Sequence, residues 1–158
     1  MKTLILFDSY FGNTELIARA IEKAFDPTTT ITKRINETTS ADLYGVTLLI
    51  IGSPTRGFRP TEAVAAFFKE KLPTKMSGLN AAVFDTRIVL ETIKSKFFRF
   101  VVNTGGYAAN TMAKQLKQKR ANLLVPAEGF FVTGEQGPLK EGETERALEW
   151  GRFIKTKI

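Results

Sequence analysis

Short apolar runs alternate with amphipathic stretches along this chain. Residues 3–7 (TLILF) form a compact apolar run of the kind that fills a strand buried on both faces. From Thr14 the apolar positions spread to Ile17, Ala20, Ile21 and Ala24, one face of a helix, with Asn13 as the expected N-cap and Asp26-Pro27 as the stop. Residues 31–35 give a weaker, more polar strand, expected at a sheet edge. Residues 47–51 (TLLII) give another buried strand, ended by Gly52. A helix is expected from Thr61 to about Leu72 with Val64, Phe67 and Phe68 inward, then a buried strand at 81–84. Residues 87–104 give no clear pattern. Residues 107–120 form a helix with Ala109, Met112, Ala113 and Leu116 as its stripe. Residues 123–132 are strand-like but broken by Pro126, which suits an edge strand or a bulge. Glu143 to about Lys155 is a closing helix with Ala147, Trp150, Gly151 and Ile154 inward.

Strands that alternate with helices require crossover connections, and crossovers make a parallel sheet. The expected fold is α/β: a three-layer, doubly wound sandwich with a five-stranded parallel sheet. No repeat, low-complexity tract or linker interrupts the chain, so one domain is expected over 1–158. Such folds bind ligands beyond the carboxyl ends of the strands, where strand order reverses. The loops to inspect are therefore 8–14, 53–61 and the segment from Asp85 onward.

Composition narrows the chemistry. The 158 residues contain no cysteine and no histidine, which excludes disulfides, Cys or His metal sites and every catalytic apparatus built on a histidine base. Redox chemistry would need a non-covalent cofactor. The apolar run near the N-terminus is too short for a signal-peptide core or a membrane span, so a cytoplasmic protein is expected. Between Arg87 and Arg120 eight basic residues face one acid, Glu91, so this segment accounts for the whole net charge of +7. It reads either as a solvated helix face or as an attractor of anionic partners. Within it, residues 93–102 interleave Phe97, Phe98 and Phe100 with Lys94, Lys96 and Arg99, a pattern of core filling or of a docking surface for an acidic partner.

The first loop reads Asp8-Ser9-Tyr10-Phe11-Gly12-Asn13-Thr14 and joins a buried strand to a helix start. Unpaired N–H groups and the positive end of the helix dipole make such a junction a phosphate cradle. Ser9, Asn13 and Thr14 add side-chain donors, and Gly12 admits close approach. A plain strand-to-helix turn is the competing reading. No Gly-Lys-Ser/Thr follows, and a single glycine is not a dinucleotide fingerprint, so one terminal phosphate is the more natural guest. The second loop, Ser53-Pro54-Thr55-Arg56-Gly57-Phe58-Arg59, is shaped by Pro and Gly. It can present backbone groups to a heterocycle and Phe58 for stacking, unless Phe58 tucks into the core.

Taken together, the run LILFDSYFGNTELIARAI, the run IIGSPTRGFRPTEAV and the run AAVFDTR resemble, in order and spacing, the three flavin loops of the flavodoxin family. The tail EGFFVTGEQGPLKEGETERALEWGRFI is also similar to members of that family. The resemblance implies strand order 2-1-3-4-5, non-covalently bound FMN and electron transfer. It places Ser9, Tyr10, Phe11, Gly12, Asn13 and Thr14 at the FMN phosphate. Ser53, Pro54, Thr55, Arg56, Gly57, Phe58 and Arg59 fall along one side of the flavin ring, and Asp85, Thr86 and Arg87 at its pyrimidine side. Three departures stand out: Phe11 where the family has a hydroxyl, no tyrosine directly after Arg87, and a basic rather than acidic chain. Arg56, Arg59 and Arg87 against the single acid Asp85 predict a flavin that takes its second electron more readily than in an acidic member, with Arg87 the main contributor.

Redox partner proteins presenting an acidic face are the expected partners; no nucleic acid and no membrane span are expected. Two other functions remain open: an NAD(P)H- or quinone-dependent FMN reductase on the same fold, and a non-redox phosphate-binding or docking module. A phosphoacceptor receiver domain of the same fold class is disfavoured, because Ser53-Pro54 stands where its acceptor aspartate would be.

Overall fold

The computed structural model describes residues 1–89, Lys96 and residues 106–158. The stretch 93–102, apart from Lys96, lies outside the described residues. The strands are β1 (Lys2–Phe7), β2 (Thr30–Arg34), β3 (Val46–Pro54), β4 (Asn80–Ile88), β5 (Asn122–Leu123) and β6 (Glu128–Val132). The helices are α1 (Asn13–Glu22), α2 (Glu62–Glu70), α3 (Ala108–Gln118) and α4 (Glu143–Lys155). All strand pairings are parallel, in the order β2-β1-β3-β4-β5, and β6 also pairs with β4.

β5 and β6 are two halves of one fifth strand. Asn122 and Leu123 pair with Asn80 and Ala81, and after a break at 124–127 the pairing resumes from Phe84↔Glu128 to Ile88↔Val132. Pro126 lies in that break, where its missing N–H costs the ladder nothing. β2, the more polar strand, is at the sheet edge as its pattern suggests.

Alternation along each central strand sorts the core into two layers. Leu4, Leu6, Leu49, Ile51, Ala81 and Val83 point to α2 and α3, joining Val64, Phe67, Met112 and Leu116. Ile5, Phe7, Leu48, Ile50, Ala82 and Phe84 point to α1 and α4, joining Ile17, Ile21, Phe130, Trp150 and Ile154. Gly151 of α4 faces Ala24 and the Ile21 carbonyl so closely that a methyl there would be 2.9 Å from the Ala24 methyl; the two helices pack with almost nothing between them. Among the described residues no helix is long and apolar enough to cross a membrane.

Three boundaries differ from the pattern. Gly12, not Asn13, is the N-cap of α1, with φ 89° in the left-handed region, and its carbonyl accepts from Leu16 N–H at 3.0 Å. Gly52 does not end β3, which continues to Pro54. β4 runs on to Ile88, so Asp85, Thr86 and Arg87 are strand residues paired with Ser53–Pro54 on one side and Gly129–Phe131 on the other.

Candidate functional site

The site is built at the carboxyl ends of β1, β3, β4 and β6. Its inner wall is Ser9, Thr14, Pro54, Thr55 and Thr86; its rim is Tyr10, Phe11, Asn13, Arg56 and Arg87. Ile88, Val132 and Glu135 complete the lining. These last three were not singled out from the sequence. They come from the strand ends and from the segment after β6, where the tail resemblance was the sole signal.

Ser9 Oγ accepts the Gly12 N–H at 3.1 Å and so folds the loop back on itself. Among the described residues, no acceptor is bonded to the backbone N–H groups of Asn13, Thr14 and Glu15, as expected for the first turn of a helix. Nothing lies within 4 Å of where a Gly12 Cβ would sit, so the mouth of this turn is open. The side chains do more bracing than the sequence suggests. Thr14 Oγ1 is hydrogen-bonded to Thr86 Oγ1 at 2.8 Å, tying the loop to the end of β4. Asn13 Nδ2 donates to the Gln136 carbonyl at 3.1 Å, and a Cβ on Gly137 would collide with the Asn13 amide. Arg34 holds the Ser9 carbonyl at 3.0 Å and pairs with Glu15 at 3.1 Å.

The second loop is a tight two-residue turn. Arg56 and Arg59 exchange backbone bonds at 2.9 and 3.1 Å around Gly57 and Phe58, which have φ of 53° and 66°. Two successive left-handed residues make this a type I′ turn, and a phenylalanine in that region is strained backbone at a loop tip. Gly57, Phe58 and Arg59 lie outside the cleft lining. Ser53 is fully buried, and its hydroxyl donates to the Pro54 carbonyl and accepts from Thr61 N–H, so it braces the loop rather than facing the cleft. Thr55 N–H donates to the Thr86 carbonyl, and Thr55 Oγ1 accepts from Ala108 N–H, each at 3.0 Å.

At the rim, Tyr10 and Phe11 are 56% and 47% exposed, and the Arg56 guanidinium lies 5.3 and 5.8 Å from their ring centres. Arg56 also meets Glu135 at 3.7 Å. Asp85 is fully buried and outside the lining. Its carboxylate accepts from Arg87 Nε at 2.6 Å, from Arg87 Nη2 at 2.8 Å and from Ala109 N–H at 2.9 Å. Burial pushes the Asp85 carboxyl above its ordinary value, against the opposing pull of Arg87 and the Ala109 N–H. Arg87 is thus an ion-paired cation, which removes the basis for expecting it to favour a reduced flavin on its own.

The strand-to-helix turn with its unpaired N–H groups lies at the switch point of a doubly wound sheet, the place where such folds bind ligands. No protein-family model matches this chain, and no curated protein matches it. Solved structures do. An archaeal flavodoxin superposes with a TM-score of 0.78 at 17% identity, covering 99% of this chain and 98% of its own. Flavodoxin 2 from Bacillus cereus gives 0.74 at 20% identity over 100% of both chains. Rubredoxin oxygen:oxidoreductase from Desulfovibrio gigas gives 0.71 at 16% identity over 99% of this chain but 36% of that one. The chain has the flavodoxin-like fold.

Proposed function

We propose that this protein is a flavodoxin-like electron carrier that binds FMN non-covalently through its phosphate in the loop from Ser9 to Thr14. The observation that carries this reading is the set of unpaired N–H groups of Asn13, Thr14 and Glu15 beside the open space over Gly12. A phosphate monoester accepts several such bonds, and the helix dipole favours its charge. Ser9, Thr14 and Thr86 supply hydroxyls at the inner side of this turn, while the Asp8 carboxylate is engaged by the Ser9 N–H at 2.9 Å. Bound FMN would supply the electron-accepting ring, and Pro54, Thr55, Arg56, Thr86 and Arg87, which line the same cleft, would hold it there. Tyr10 and Phe11, large rings at the rim of the cleft, would flank the bound group.

The chain acts as one flavodoxin-like domain over 1–158, in the cytoplasm, and its partners present an acidic face; the net charge of +7 supports that complementarity. Purified protein should be yellow and bind FMN near one equivalent. FMN should bind at least about tenfold more tightly than riboflavin, because a charge-assisted phosphate contact contributes well over 1.4 kcal/mol. Ser9→Ala, which removes the acceptor for Gly12 N–H, should narrow that preference. Equal affinity for the two flavins would refute a phosphate site in this loop. Bleaching by NAD(P)H alone, without a partner reductase, would replace the carrier by the FMN reductase reading.

A further inference from the structure

We infer that Asp85 and Arg87 form a charge-neutral anchor, in which Arg87 offers the cleft a fixed guanidinium while Asp85 cancels its charge, so that negative charge on the bound ligand gains little from this cation. The inference rests on the proposed FMN site.

Four observations hold the guanidinium in place. The pairing with Asp85 is two-pronged, through Nε and Nη2, the geometry that fixes a guanidinium most firmly. Asp85 is itself immobilised by the Ala109 N–H at the start of α3. The Tyr107 ring centre lies 3.6 Å from the guanidinium carbon. Opposite β4, Gly129 of β6 leaves room that no other residue would: a Cβ there would be 2.6 Å from Nη2 and closer still to Cζ and Nε. Arg87 lines the cleft with its side chain 15% exposed, whereas Asp85 has no exposed side chain at all. The ion pair thus stands at the edge of the cleft, its carboxylate buried and its arginine partly exposed. A buried carboxylate costs several kcal/mol to desolvate in general, so a purely structural anchor would be simpler with an apolar partner. What the carboxylate adds is charge cancellation, in a chain whose excess of +7 otherwise pulls the other way.

The test is a charge cycle read by redox titration of the FMN-loaded protein at low salt, with bound flavin counted in each variant. Asp85→Asn leaves Arg87 charged and unpaired. It should tighten the fully reduced flavin relative to the preceding one-electron state at least about tenfold, which is about 59 mV in the second one-electron potential. Adding Arg87→Gln to Asp85→Asn should reverse that rise. Arg87→Gln alone, which removes the cation, should not raise the potential; this arm serves if Asp85→Asn alone does not fold. A rise that persists in the double variant marks a structural rather than an electrostatic effect and overturns the anchor. So does a flavin-loaded Asp85→Asn with an unshifted potential, or an Arg87→Gln whose potential rises by the equivalent of about tenfold or more. A wild type that binds no flavin overturns the proposed function, and the inference with it.

Discussion

Gly52 lies in the middle of β3, in register with Phe7 of β1 and Phe84 of β4. Strand propensity alone predicts that Gly52→Ala stabilises, by about 0.5–1 kcal/mol. The packing predicts the opposite. An added Cβ would be 2.5 Å from two ring carbons of Phe84 and closer still to Cζ. The ring has nowhere to go. Phe84 has no exposed surface, and it stands edge-on to Phe130 at 5.9 Å and to Trp150 at 6.1 Å. Overpacking a core typically costs about 1–3 kcal/mol, and a locked ring belongs in the upper half, so a net loss of about 2 kcal/mol is expected. With a urea m-value of about 2 kcal/mol/M, the midpoint should fall by about 1 M at unchanged slope. Phe84→Leu should cost about 1–2 kcal/mol through lost ring contacts. The double variant should lose less than the sum of the singles by at least about 1 kcal/mol, because leucine vacates the space the new methyl needs. A Gly52→Ala midpoint at or above the wild type, or strictly additive losses, would refute this account of the glycine.

Thr14→Val should destabilise by about 1–2 kcal/mol in the same urea assay, because it leaves the buried Thr86 hydroxyl without its partner, and Thr14→Val/Thr86→Val should recover part of that loss. Asp42 accepts from the Thr39 N–H at 2.7 Å, from the Thr39 hydroxyl at 2.9 Å and from Lys33 at 3.1 Å, and these bonds, the Thr39 N–H first, hold its carboxyl down at about 2. Its contribution to stability is therefore present above the unfolded value of 3.8 and lost as the pH falls from there through about 2. Carboxyl carbon NMR titration should show this depressed value, and Thr39→Ala should bring it back toward the ordinary range.

The apolar strands were legible because burial on both faces leaves a run such as 48–51 no other pattern. The helices were legible because Ile17, Ala20 and Ile21, or Val64, Phe67 and Phe68, recur at helical spacing. Pro126 announced the break in the fifth strand. What was not legible depended on partners distant in sequence. Asp85 and Arg87 look like loop residues because they are polar, yet they are strand, since Asp85 finds Arg87 and the Ala109 N–H once the chain is folded. Gly52 reads locally as a stop, and only the Phe84 ring shows that it is a slot. Asn13 has the composition of a cap, but its side chain is taken by Gln136, and the cap falls to Gly12 in the left-handed region. The site followed the same division. Some residues of each of the three segments line one cleft, while the contributions of Ile88, Val132 and Glu135 depended on where the last strand ends.

The bond from Asn13 to the Gln136 carbonyl spans 123 positions of the chain. The loop proposed to hold the phosphate precedes α1 and is latched by the segment that follows β6. Helix α1, which presents that loop, lies in turn against α4 across Gly151. A nascent chain still lacking the segment beyond β6 would have the cradle's sequence without its brace. Ligand capture at the proposed cradle would therefore wait until the segment after β6 has folded back onto the turn before α1.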